Sequence, residues 1–139
     1  MPKISRVRPD GTPAPANAAR AARAAFAGAG VAPGRTRLIF GTPAEVLPRL
    51  SPGAYDMVVC DGSPRDYAVH LPALLDLVRV GGTLTCHGLL EGGRIAERTA
   101  RDPQTVAWRE ISRAVREDET LLSAVLPIGT GLLVATKRT

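Results

Sequence analysis

A layered α/β domain, with a mainly parallel sheet and an antiparallel C-terminal edge, is predicted by three features of this 139-residue chain. Segments of helical and strand character alternate along it, the pattern of a sheet built by crossover connections. The segment Tyr55-Asp56-Met57-Val58-Val59-Cys60 is unbroken and apolar after Asp56, as suits a parallel strand covered on both faces. Two final strand-like segments, 121–126 and 131–137, are separated only by Pro127-Ile128-Gly129-Thr130, a connection short enough for an antiparallel pair.

Residues 1–16, with Pro9-Asp10-Gly11-Thr12 as a turn signal, form an irregular N-terminal segment, and the domain proper is expected over 17–139. The Ala/Arg run from Asn17 to Ala29 has high helix propensity and stops at Gly28 and Gly30. Arg35–Phe40 reads as a short strand with Leu38 and Phe40 on one face. Thr42–Leu50 reads as a short helix that tolerates Pro43 in its first turn. After the 55–60 strand, Ser63-Pro64 opens a helix whose Leu71, Leu74, Leu75 and Val78 share a face, with Pro72 near its start and Gly81-Gly82 as its stop. Thr83–His87 is the next strand, and a glycine-bearing loop runs from Gly88 to Arg101. Asp102-Pro103 pairs an N-cap with proline at the first helical position, and Trp108, Ile111 and Val115 make the apolar stripe of that helix.

Composition narrows the function classes. An apolar fraction of 45% supports one core-bearing domain rather than a disordered chain. No run approaches the roughly 20 apolar residues of a membrane-spanning helix. The start, Met1-Pro2-Lys3-Ile4-Ser5-Arg6, lacks the apolar stretch of a signal peptide, so a cytoplasmic location is expected. Cys60 and Cys86 form neither a disulfide framework nor a zinc-finger spacing. Of the net charge of +5, residues 1–50 carry 8 basic and 2 acidic groups, while 51–139 carry 10 and 11. A basic segment attracts nucleic acid, but no nucleic-acid motif accompanies it and the chain has few aromatics, so a solvated face is the expectation.

In an open α/β sheet, ligands bind beyond the carboxyl ends of the strands. Three such ends are Gly41-Thr42, Asp61-Gly62-Ser63 and His87-Gly88. Asp61 is the sharpest signal, because a carboxylate directly after an apolar strand must reach solvent, a helix N-terminus or a ligand. His87 holds the equivalent place on the next strand, as a structural hydrogen-bonder or a catalyst. Tyr67 either stacks on a ligand or covers the start of its helix. His70 is packed or solvated, and Cys60 and Cys86 are core cysteines on neighbouring strands. Gly28-Ala29-Gly30 with Gly34 imitates a dinucleotide fingerprint but follows a helix instead of a strand, and so serves as a helix stop.

Successive blocks then carry a resemblance: Ala25-Phe26-Ala27-Gly28-Ala29-Gly30-Val31, Gly41-Thr42-Pro43-Ala44-Glu45-Val46-Leu47-Pro48, Tyr55 to Asp61, Val80-Gly81-Gly82, Gly92-Gly93-Arg94, and Leu126-Pro127-Ile128-Gly129-Thr130-Gly131-Leu132. Over about residues 18–138 the chain resembles the S-adenosylmethionine-dependent O-methyltransferases of the catechol/caffeoyl-CoA type, actinobacterial branch. The resemblance implies a Rossmann-like class I methyltransferase fold, S-adenosyl-L-methionine as cofactor, a small hydroxylated acceptor, and a homodimer as in many relatives. It implies that Gly41, Thr42, Pro43, Asp61 and Gly62 border the cofactor, and that Tyr67, His87 and Arg94 border the acceptor. Asp61 would stand beside the methyl-donor sulfonium.

Departures from the family pattern shape the remaining expectations. Where metal-dependent members have Asp-Ala-Asp-Lys, this chain has Asp61-Gly62-Ser63-Pro64, and where they have Asp-Asn it has His87-Gly88. One carboxylate is too little for octahedral Mg²⁺, so no metal is expected and His87 becomes the candidate general base, with Asp61 the second catalytic residue. The family's first strand and its Gly-rich turn have no counterpart here, so cofactor binding by this chain alone is expected to be weak. That lack would bare the edge of the 57–60 strand for Lys3–Val7, a second copy or another chain to cover. The alternatives to an O-methyltransferase are a catalytically inactive remnant acting as an association module through that edge, and a nucleic-acid-binding domain using the basic first 50 residues.

Overall fold

The computed structural model describes residues 16–139. The readings made on Pro9–Thr12 and Lys3–Val7 lie outside the described residues. Within them, α1 spans Ala16–Gly28, α2 Pro43–Val46, β1 Tyr55–Cys60, α3 Pro64–Leu77, β2 Val78–His87, α4 Pro103–Glu117, β3 Leu121–Leu126 and β4 Leu132–Lys137. Short 3₁₀ turns cover Pro33–Arg35, Leu47–Arg49 and Glu91–Ala96.

The sheet order is β1-β2-β4-β3. β1 and β2 are parallel, and β4 is antiparallel to both β2 and β3. Three of the four strands therefore run one way and β4 alone is reversed, lying inside an edge formed by the C-terminal hairpin. This matches the expected α/β architecture with an antiparallel edge.

α3 and α4 cover one sheet face. Leu71, Leu74 and Leu77 of α3 and Trp108, Ile111 and Val115 of α4 meet Leu84, Cys86, Leu133 and Ala135 of the sheet in one core. The α4 residues recur at the i, i+3, i+7 spacing of a single helical face. Each fully buried apolar side chain of this size contributes about 1.5–3 kcal/mol relative to exposure. Asp102 starts α4 by accepting from the Thr105 backbone N–H at 3.0 Å, with Pro103 in the first turn.

Four expectations are corrected. Residues 36–40 form no strand, because a strand exists only through a neighbour's hydrogen bonds and no described strand lies beside them. The 42–50 helix is a single α-turn that passes into a 3₁₀ turn at Leu47–Arg49, where Pro48 cannot donate to the α ladder. Helix α3 ends at Leu77 rather than at the glycine pair, and Pro72 sits in its interior at an exposed position. The β1 run is covered on one face only, since Met57 and Val59 are 50% and 55% exposed.

The glycine pair has a different use. Tyr55 pairs with Val78 but Met57 with Thr83, so residues 79–82 bulge out opposite Asp56. A Cβ on Gly82 would stand 2.8 Å from Val78 Cγ1 and 2.9 Å from the carbonyl oxygens of Arg79 and Asp56. Only glycine fits that approach. Arg79 closes the bulge by donating to Asp56 at 2.6 Å, which holds the Asp56 carboxyl below its ordinary range. Beyond the bulge the strands run in register to their carboxyl ends.

Candidate functional site

That register creates the site. Cys60 stands opposite Cys86, so the residues that follow them, Asp61 just past β1 and His87 at the end of β2, stand at the same rim. Asp61 and His87 are thereby brought together, with Asp61 Oδ1 3.6 Å from His87 Nδ1. Their side chains are 57% and 53% exposed. A contact so open to solvent contributes little to stability. Asp61 leaves the core as the burial argument requires, and it faces the imidazole. The first residue of α3's cap, Ser63, makes no side-chain capping bond.

The other imidazole nitrogen has a partner that sequence reading missed. His87 Nε2 lies 3.2 Å from Thr130 Oγ1. Thr130 belongs to the hairpin turn between β3 and β4, and β4 begins with Leu132 paired to His87. The sequence marks 127–130 as the turn of an antiparallel hairpin, but the pairing of β4 with β2 that brings this turn to the His87 rim is visible only in the fold.

The turn is clamped in place. Gly88 N–H donates to the Gly131 carbonyl at 2.8 Å and Leu90 N–H to the Thr130 carbonyl at 2.9 Å. Gly131 has φ +92°, and a Cβ there would lie 2.5 Å from Leu90 Cγ and 2.8 Å from Leu90 N. The 91–101 loop is fixed independently, by Arg109 donating to the carbonyls of Ile95, Glu97 and Ala100.

The remaining site candidates fall into separate places. Thr42 and Glu45 form a capping box: Thr42 Oγ1 accepts from Glu45 N–H at 3.3 Å and Glu45 Oε2 accepts from Thr42 N–H at 2.9 Å. The Thr42 bonds hold the Glu45 carboxyl below its ordinary range. Thr42 and Pro43 line a hollow of ≈ 900 Å³ with Ser63, Arg65, His70 and Glu110. Gly41 directly precedes Thr42, and Gly62 directly follows Asp61. Asp61 and His87 themselves stand on the open rim and line neither this hollow nor the smaller one beneath it.

That smaller cavity, ≈ 60 Å³, runs along β1 between Pro43, Leu47, Met57, Tyr67 and Leu74. Tyr67 is 4% exposed, and its ring meets Trp108 edge-on with centroids 6.0 Å apart. Its ring is thus taken up in packing between α3 and α4. The hydroxyl is buried with no hydrogen-bond partner, and burial pushes its pKa above the ordinary phenol value. Arg94 donates to Asp102 at 2.8 Å and lies 3.6 Å from Glu97, tying the loop to the start of α4. Cys86 is fully buried, and its hydrogen bond with Cys60 together with burial raises its thiol pKa, as expected of core cysteines. Among the described residues no three His, Cys, Asp or Glu side chains converge as a metal site, and no helix is long and apolar enough to cross a membrane.

Comparison with known proteins supplies independent findings. A family model described as O-methyltransferase matches residues 14–138. A Mycobacteroides abscessus protein bearing an O-methyltransferase name is 42% identical over 118 residues, which is 85% of this chain and 55% of that protein. A Mycobacterium tuberculosis protein with a similar name is 43% identical over 118 residues, covering 85% of this chain and 53% of its own length. The chain therefore spans about half the length of the curated relatives it matches. A solved Corynebacterium glutamicum structure superposes with a TM-score of 0.86 at 33% identity, over 99% of this chain and 61% of that one. An O-methyltransferase of Streptomyces achromogenes, solved in complex with S-adenosylmethionine, gives a TM-score of 0.82 at 21% identity, over 99% and 62%. At that identity it shows the fold alone.

Proposed function

The chain belongs to the O-methyltransferase family, and from that membership we propose that it carries the acceptor-side chemistry and the adenine side of an S-adenosylmethionine-dependent O-methyltransferase. The observation that supports this reading best is the Asp61–His87 pair, held 3.6 Å apart at the ends of two parallel strands. This is where an open α/β sheet presents its ligands.

The residues present fit the cofactor. Pro43 offers an apolar wall, with Thr42 and Ser63 beside it, for the adenine in the hollow between α2, α3 and α4. Asp61 offers an exposed negative charge at the rim, complementary to a sulfonium. Gly41 and Gly62 leave the two loops free of side chains at their approach. When bound, the cofactor supplies a methyl group on a positively charged sulfur, which passes to the acceptor oxygen while the sulfur keeps the bonding electron pair. This chain's own part is to bring the reactants into line and to remove the hydroxyl proton. His87 accepts that proton and returns it to solvent, and Asp61 faces the positive charge the ring gains. Arg94 borders the acceptor side through the loop it anchors, whereas Tyr67, buried against Trp108, serves as core packing behind the rim. A small-molecule hydroxyl is the acceptor, and no metal takes part: one carboxylate beside an imidazole provides too few oxygens for Mg²⁺.

For assembly and place, the reading is a cytoplasmic homodimer. The outer edge of β1, unpaired among the described residues and flanked by half-exposed Met57 and Val59, supports association. Light scattering that reports a clean monomer overturns the dimer.

Transfer of a labelled methyl group to a panel of hydroxylated aromatic acceptors tests the chemistry. His87→Ala is expected to lower turnover by about 10²–10⁴-fold. Undiminished transfer by an active His87→Ala protein removes His87 from the role of base.

A further inference from the structure

We propose that Thr130 is a positioning residue: its hydroxyl donates to His87 Nε2, holds the ring with Nδ1–H toward Asp61, and so makes Nε2 the nitrogen that takes the acceptor's proton. The inference rests on the reading of His87 as the base and names the atom that acts.

Three observations carry it. Both imidazole nitrogens face a polar side chain, Asp61 at 3.6 Å on one side and Thr130 Oγ1 at 3.2 Å on the other. An ionised carboxylate accepts and cannot donate, so the neutral ring sits best with its proton on Nδ1, facing Asp61. Nε2 then presents a lone pair, and the Thr130 hydroxyl, which rotates freely, is the group able to donate to it. The same logic of base, orienting carboxylate and hydroxyl organises acid–base catalysis in unrelated folds.

The third observation is that Thr130 does not drift. Its carbonyl accepts from Leu90 N–H, the next residue's carbonyl accepts from Gly88 N–H, and Gly131 is pressed against Leu90 too closely for any side chain. The hydroxyl is therefore delivered to the His87 ring by backbone bonds to the segment that immediately follows His87. In the free protein it occupies the lone pair; an acceptor hydroxyl replaces it there, donating its own proton to Nε2 as the oxygen becomes nucleophilic. The proton count balances, since the ring gains the one proton the acceptor loses.

The chain has only two histidines, His70 and His87, so ¹⁵N-labelled imidazole spectra are readily assigned. Long-range ¹H–¹⁵N spectra of the cofactor-free protein at about pH 9, where an ordinary imidazole is neutral, report which nitrogen is protonated. The expected result is Nδ1–H for His87 in the native protein and in Thr130→Ser, and a shift toward a mixture of tautomers in Thr130→Val. In methyl-transfer assays Thr130→Val is expected to lower kcat several-fold with KM little changed, and Thr130→Ser to restore it. An Nε2–H ring in the native protein, or a Thr130→Val spectrum identical to native, overturns the proposal. Because the spectra need no turnover, that failure is distinct from the failure of His87→Ala to lower activity, which strikes the reading of His87 itself.

Discussion

Gly131→Ala tests how firmly the turn is held against the rim. The substitution carries two separable costs. At φ +92° an L-residue sits in the left-handed region, at about 1–2 kcal/mol. The added methyl would also stand 2.5 Å from Leu90 Cγ, 2.9 Å from Leu90 Cβ and 2.8 Å from Leu90 N. The side chain can swing, but the backbone nitrogen cannot move without breaking its bond to the Thr130 carbonyl. Overpacking of that kind costs about 1–3 kcal/mol. Together these give roughly 2–5 kcal/mol, which for a chain of this size lowers Tm by roughly 6–20 °C. Gly129→Ala is the control, since φ is +56° there but nothing lies within 4 Å of the new methyl. It should lose only the conformational part, about 1 kcal/mol. Thermal unfolding of both variants by circular dichroism measures the difference. Equal losses would refute the claim that contact with Leu90 locks the turn.

Other predictions follow from the same packing and electrostatics. Asp102, held to about 2 chiefly by the Thr105 backbone N–H and also by Arg94, stabilises α4 while ionised. Its depressed folded value means this contribution is complete above about pH 4 and disappears as pH falls through about 2. Chemical denaturation should therefore show Asp102→Ala less stable than native from pH 4 to 7, with the gap closing toward pH 2; a gap independent of pH contradicts it. Cys60 and Cys86, 6% and 0% exposed, should react with a thiol reagent slowly in native protein and fast in denaturant. Rapid native labelling of both would show that the core opens. Ile111→Ala, at a fully buried position between the helices and the sheet, should cost about 2–5 kcal/mol. A loss under 1 kcal/mol in denaturant unfolding would mean α4 is not packed as described.

Much of the fold was legible because the informative residues act locally. The apolar run to Cys60 followed by Asp61, and the strand ending in His87, mark two strand tips without any knowledge of the third dimension. Asp102-Pro103 marks a helix start through the backbone groups it satisfies. What was not legible depends on neighbours. Residues 35–40 have strand chemistry but no partner strand among the described residues, and pairing rather than propensity makes a strand. Leu77 and Val78 are both apolar, so nothing in their pattern tells the end of α3 from the start of β2. Gly81-Gly82 resembles a helix stop in sequence and acts as a bulge because the backbone of Asp56 comes close. Tyr67 could pack or stack, and only the placement of Trp108 decides between the two. Thr130 reaches the rim from across the sheet, through a pairing of β4 with β2 that no local pattern encodes.

The Asp61–His87 rim as the place of methyl transfer is tested most directly by calorimetric titration of the chain with S-adenosylmethionine, whose sulfonium carries the charge Asp61 would face, alongside Asp61→Ala and His87→Ala. The account predicts saturable heat with a Kd below about 1 mM, weakened about tenfold or more by Asp61→Ala and little changed by His87→Ala. Absence of heat at millimolar ligand, or an Asp61→Ala protein that binds as tightly as native, contradicts it.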